Sequence, residues 1–222
     1  MFVNGRVYYA PMNKTTELSA RRRAAPIAAN GKVAPPIRKP NRDTRTREYL
    51  TPTEMEKLME AATHGRYGQR DRTLLLLMYR HGLRVSEAVS LRWEQFDLKA
   101  GLFSVQRLKG GVPSTHPLRG PELRALRELR RAWPDSPYLF ASERGGPMTA
   151  SNVRKLVTRT GLAAKLPFPV HPHMLRHACG YKLANEGHDT RSLQHYLGHK
   201  NIAHTVRYTE LAPDRFKSFW RD

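Results

Sequence analysis

The stretch from Asp71 to His81 limits the possible folds more than any other part of the chain. It holds the longest apolar run, Leu74 to Met78, set between Arg72 and Arg80. That run is far too short to cross a bilayer, so it reads as a strongly apolar helix buried in a soluble core. Gly82 follows it at the place where a left-handed residue ends a helix. A buried helix needs other helices around it, and the rest of the chain supplies them. Thr51 or Thr53 can cap a helix to about residue 62, with Pro52 and Glu54 suited to its first turn. Ser86 and Glu87 open a short helix that buries Ala88, Val89 and Leu91. Residues 92–118 turn strand-like through Phe96, Leu102, Phe103, Val105 and Leu108, with turns at Gly101 and at Gly110-Gly111. Helices are expected again near 121–132, 149–160, 172–186, 190–197, 202–208 and 213–220. The fold class is therefore mainly α with one small antiparallel β-sheet, an α+β domain.

Charge narrows the partner. Lys and Arg number 39 against 19 Asp and Glu, a net charge of +20 in 222 residues. Such an excess calls for a polyanion, because each phosphate neutralised releases a condensed counterion. Residues 1–47 carry 11 of these cations against only Glu17 and Asp43. Pro26, Pro35, Pro36 and Pro40 interrupt any helix there. The segment reads as a basic, extended or disordered arm, with Arg21, Arg22, Arg23, Lys39, Arg42, Arg45 and Arg47 as DNA-backbone contacts; a solvated tail is the plain alternative. The globular domain is expected over 48–222. No secretory signal or membrane span is visible, and Cys179 is the only cysteine. A reducing, cytoplasmic location on the nucleoid is expected.

Four local patterns carry chemistry. Arg84 and Glu87 lie in Gly82-Leu83-Arg84-Val85-Ser86-Glu87, and Lys109 sits at a hairpin tip. His171-Pro172-His173-Met174-Leu175-Arg176-His177 starts a helix that puts His173 and Arg176 on one face. Leu197-Gly198-His199 precedes Tyr208 by nine residues from its histidine. Breaking a phosphodiester without a metal requires positioning and charge stabilisation, which paired arginines supply through two parallel hydrogen bonds. A tyrosine hydroxyl can form a phosphotyrosyl bond that conserves the backbone's energy for religation. A histidine can take its proton, and a lysine can protonate the leaving 5′ oxygen. Taken singly, each residue has a bland structural reading as a cap, an ion pair or a core tyrosine. Their joint order and spacing favour the chemistry.

On these motifs the chain from about residue 48 resembles the catalytic domain of the tyrosine recombinases, the phage integrase superfamily. Thr115-His116-Pro117-Leu118, the His171–His177 segment and His204-Thr205-Val206 are most similar to the short invertases of the type 1 fimbriae switch. The resemblance implies Arg84 and Arg176 on the scissile phosphate and Lys109 as general acid. It makes His173 proton acceptor or phosphate donor, His199 a second phosphate donor, and Tyr208 the nucleophile. Glu87 falls at the family's accessory acidic position. It further implies double-stranded DNA with inverted-repeat sites, a homotetramer on DNA, DNA-bending accessory proteins, and no metal, ATP or other cofactor. The departure is the N-terminal helical DNA-clamping domain of typical members, for which the 47 preceding residues do not substitute. A C-terminal helix near 213–220, with Phe216, Phe219 and Trp220, is expected to dock on a neighbouring protomer or on its own domain. A type IB topoisomerase-like relaxase and a non-catalytic DNA-binding regulator are the alternatives. His173 and His177 with His171 have a spacing zinc can use, but the motif has no carboxylate and Arg176 would repel a cation. His177 and Cys179 read as structural packing, and His81 and His116 have no role that sequence supplies.

Overall fold

A computed structural model describes residues 47–108 and 110–210. The chain separates into two units, Met1–Thr44 and Arg45–Asp222, and the fold is that of the second. The expected arm residues other than Arg47, Lys109 itself and the 213–220 helix lie outside the described residues.

The elements run α1 (Pro52–Thr63), α2 (Gly68–Arg80), α3 (Val85–Val89), a 3-10 turn (Trp93–Gln95), β1 (Phe96–Asp97), β2 (Leu102–Val105) and β3 (Ser114–Pro117). They continue with α4 (Gly120–Ala132), α5 (Ala150–Ala163), α6 (Pro172–Asn185), α7 (Thr190–Leu197) and α8 (Ala203–Glu210). The domain is mainly helical with one three-stranded antiparallel sheet in the order β1-β2-β3. Among the described residues no helix is long and apolar enough to cross a membrane.

Local signals explain most boundaries. Thr51 caps α1: its hydroxyl accepts from Glu54 N at 3.3 Å, and Glu54 Oε2 accepts from Thr51 N at 2.9 Å. Leu74 through Met78 are all buried, so α2 forms the centre of the core, against α1, α4 and α6. Gly82 ends α2 with φ +56°, and Leu83 N reaches back to Met78 O at 3.1 Å, as the left-handed helix cap requires. A side chain at 82 would also meet Leu197 Cδ2 at 2.4 Å. Asp189 caps α7 through Arg191 N and Ser192 N, and Gly198 ends it at φ +65°.

The sheet buries alternate residues. Phe103 pairs with Phe96 on one side and His116 on the other, and the two phenyl rings stack at 4.3 Å. Leu102 faces out, and strand β2 ends at Val105, so Leu108 lies beyond it and is exposed. In α3, Ala88 is buried while Val89 is only half-buried. Helix α5 runs to Ala163, past the expected end at 160, and Gly161 within it is a packing site: a Cβ there would come within 2.7 Å of Val170 Cγ2. Arg47, the one expected arm residue among those described, pairs with its own domain, with both terminal nitrogens on Glu54 at 2.5 and 2.7 Å. Its guanidinium also lies 5.2 Å from the centre of the Phe168 ring.

Candidate active site

The site is built where the carboxyl ends of α2 and α7 meet. Each helix leaves its last carbonyls without partners and with partial negative charge. Two arginines bridge those ends. Arg107, from just beyond β2, donates to His81 O and Tyr196 O; Arg176, on α6, donates to Gly82 O and Leu197 O. Arg107's remaining terminal nitrogen reaches Glu87 Oε2 at 3.1 Å, and its side chain is 0% exposed. The guanidinium fits because Gly198 and Gly111 lack side chains: a Cβ on Gly198 would lie 2.6 Å from Arg107 Cγ, and one on Gly111 2.8 Å from Arg107 Cβ.

Glu87 joins this bridge to the first motif arginine. Arg84 caps α3, its backbone N–H donating to Glu87 Oε2 at 2.9 Å and its Nη1 to Oε1 at 2.7 Å. Burial pushes the Glu87 carboxyl up, but the Arg84 N–H and the two guanidinium charges outweigh it, so its pKa lies below the ordinary value. Glu87 is thus a buried carboxylate that orients Arg84 and compensates Arg107. Arg84 lines an open cavity of about 690 Å³ together with His199, Arg191, Lys200, His204 and Gly111. Position 109 itself is outside the described residues; Gly111, two residues on, is part of the cavity wall. Arg176 spends two of a guanidinium's five N–H groups on backbone. Burial, then Arg84 and Arg107, lower its pKa to about 10, so it is charged at neutral pH.

The histidines divide by environment. His199 is buried, its Nδ1 2.8 Å from Thr205 Oγ1, and burial with Arg176 and Arg84 holds its pKa at about 3. It is neutral there. His173 is exposed at the start of α6, with its ring 6.3 Å from that of His177. His177, expected to serve packing, also makes a polar contact: its Nδ1 is 2.8 Å from the Tyr208 hydroxyl. Tyr208 lies in α8, 1% exposed, with its ring 6.3 Å from that of His199 and edge-on to Tyr181 at 5.0 Å. The fold therefore gathers Arg84, Glu87, Arg176, His199 and Tyr208 around one junction.

Arg107, His177 and a second buried network escape a sequence reading. In that network Ser114 Oγ lies 2.9 Å from His116 Nε2, His116 Nδ1 lies 3.0 Å from His81 Nδ1, and His81 Nε2 lies 2.8 Å from Glu122 Oε1. It ties β3 to the end of α2 and the start of α4. Burial, aided by His81 and Arg107, takes the His116 pKa down to about 3. Only the unusual density of histidine hinted at it.

A cluster of fixed cations around an open cavity, with neutral histidines and a tyrosine beside it, suits a phosphodiester. The model of the phage integrase family matches residues 48–215. The chain belongs to that family. Type 1 fimbriae regulatory protein FimE of Escherichia coli (strain K12) is 42% identical to this chain over 180 residues, 78% of this chain and 91% of FimE. Tyrosine recombinase XerC of Xanthomonas axonopodis pv. citri (strain 306) is 35% identical over 209 residues, 93% of this chain and 64% of XerC. The crystal structure of XerA recombinase superposes on this chain with a TM-score of 0.68 at 27% identity, covering 77% of this chain and 63% of XerA.

Two outcomes follow from the geometry. Arg107→Ala removes one of the two guanidiniums that answer Glu87 and leaves two buried backbone carbonyls without their donor, so urea unfolding should show a loss of roughly 3–5 kcal/mol. The three histidines held near a pKa of 3, His116, His177 and His199, protonate more readily unfolded, where the reference value is about 6.5. Their stabilising contribution is complete above that value and is lost as pH falls towards 3. The melting temperature should therefore fall between pH 7 and pH 4, and His116→Gln should flatten part of that slope.

Proposed function

We propose that Tyr208 attacks a phosphate of double-stranded DNA, giving a 3′-phosphotyrosyl end and a free 5′ hydroxyl that then attacks a partner strand. The enzyme class follows from family membership: a tyrosine-type site-specific DNA recombinase. The observation that supports the residue assignment is the junction of α2 and α7, where Arg84 and His199 line one cavity, Arg176 is bound to the helix ends, and the Tyr208 ring lies 6.3 Å from that of His199. In this reading Arg84 and Arg176 hold the non-bridging oxygens, where charge builds up in the transition state. Neutral His199 donates a further hydrogen bond, and Glu87 keeps Arg84 aimed. His173 takes the Tyr208 proton or donates to the phosphate. Lys109, in the β2–β3 connection, protonates the leaving oxygen.

The wider organisation belongs to the same proposal. Cuts on two duplexes need coordination, which favours a homotetramer on paired inverted repeats, helped by DNA-bending proteins at the nucleoid in the cytoplasm. The resemblance of its motifs to the short invertases of the type 1 fimbriae switch favours inversion of a DNA segment. The catalytic domain would occupy residues 48–222, with its C-terminal helix near 213–220 docking between protomers. The basic residues 1–47 would follow the phosphate backbone.

Covalent capture tests the chemistry. Wild type and Tyr208→Phe are incubated with the source organism's genomic DNA, trapped with SDS, and the attached fragments sequenced. Adducts at a few inverted repeats, in complexes of four protomers and absent from the variant, are expected. Scattered adducts would instead indicate a relaxase, and DNA binding without adducts a non-catalytic regulator. Deletion of residues 1–45 should weaken DNA binding and flatten its dependence on salt, since fewer counterions are released. An unchanged slope in a salt titration would remove the arm from the interface.

A further inference from the structure

The connection from β2 to β3, residues 106–113, borders the cavity that Arg84 and His199 line, and Gly111 is part of the cavity wall. Its own side chains hold it little, since Leu108 and Val112 are 40% and 52% exposed. Where such a connection points is therefore decided at its two feet, and both feet stand on the same pair of residues. At the β2 foot, Arg107 donates to the backbone carbonyls of His81 and Tyr196. At the β3 foot, His116 meets their side chains: its Nδ1 lies 3.0 Å from His81 Nδ1, and its ring stacks on that of Tyr196 at 3.9 Å. His116 Nε2 lies 2.9 Å from Ser114 Oγ, the first residue of β3. Only a flat ring with polar atoms on two sides can lie on Tyr196 while linking Ser114 to His81. Beyond His81, Glu122 Oε1 approaches Nε2 at 2.8 Å as an ion-pair contact rather than a straight hydrogen bond. Burial pushes the Glu122 carboxyl up, but His81, the Arg119 N–H and Arg80 outweigh it, so a carboxylate closes the line. His116, His81 and Glu122 are each 1% exposed, and groups so deeply buried are expensive to leave without partners.

We propose that His116 is a positioning residue for the reaction: together with Arg107 it clamps the β2–β3 connection to the ends of α2 and α7 and so sets how the connection faces the phosphate cavity. The inference rests on the reading above in which Lys109, carried by this connection, protonates the leaving oxygen. His116 touches no substrate; it acts through the segment it anchors.

The test uses the full-length protein and two readouts. His116→Phe keeps a flat ring against Tyr196 and removes both polar links. Leu129→Ala, a change in the buried face of α4, serves as a control for plain loss of stability. Hydrogen exchange without DNA reads the clamp: His116→Phe should speed amide exchange over residues 106–113 by about tenfold, the scale of one lost buried hydrogen bond, and Leu129→Ala should not. Time courses of SDS-trapped adducts on genomic DNA, run below both melting temperatures, read the chemistry. Lys109→Ala should slow adduct formation by about a hundredfold or more, as loss of a general acid does. His116→Phe should slow it by about tenfold while leaving DNA binding in a mobility-shift assay within about twofold of wild type, and should add no further loss in the Lys109→Ala background. Unchanged exchange in His116→Phe would overturn the clamp. A further tenfold loss in the double variant, or an equal loss of adducts in Leu129→Ala, would overturn the positioning role. Faster exchange in His116→Phe with Lys109→Ala as active as wild type would instead overturn Lys109 as the acid, leaving a clamp that serves only the fold.

Discussion

Arg107 and Arg176 close the carboxyl ends of α2 and α7, and the rest of the site depends on that junction. Both guanidiniums have left water, which is costly unless their charge and donors are answered. The answer comes from backbone: four carbonyls, two from each helix end, sit where the helix dipoles concentrate negative charge. Glu87 supplies the one full negative charge, shared between Arg107 and Arg84. Positive charge is thereby fixed in place with little reorganisation left for an incoming phosphate to induce. This is the electrostatic preorganisation that phosphoryl transfer rewards.

The same concentration of cations governs the protons. His199 and His177 are neutral partly because arginines surround them, and Tyr208 keeps its proton because burial outweighs those arginines. The resting site is thus rich in charge yet chemically quiet. An anion bound among Arg84, Arg176 and His199 would offset the cations that hold the imidazole pKa down, so substrate itself would move the histidines towards a protonated state.

Sequence patterns alone fixed much of the fold. Thr51, Asp189, Gly82 and Gly198 are start and stop signals whose physics is local: a side-chain oxygen accepting a free N–H, or a residue without Cβ in a left-handed turn. The run Leu74–Met78 marked the central helix because nothing but a core can hold it, and the alternation around Phe103 marked the sheet. The order of Arg84, Arg176, His199 and Tyr208 pointed to one reaction, since few other chemistries need those groups together.

What required the tertiary structure are the contacts between residues far apart in the chain. Arg107 looked like part of a hairpin, yet its partners are Glu87, His81 and Tyr196, brought together only when α2 and α7 meet. Gly161, Gly180 and Gly198 each make room for a specific neighbour, Val170, Tyr208 or Arg107. His177 looked like packing and holds the Tyr208 hydroxyl. Local signals depend on the backbone geometry of a few consecutive residues, which the sequence states directly. Close approach, burial and proton position depend on which surfaces the folded chain presses together, and only the packed structure decides them.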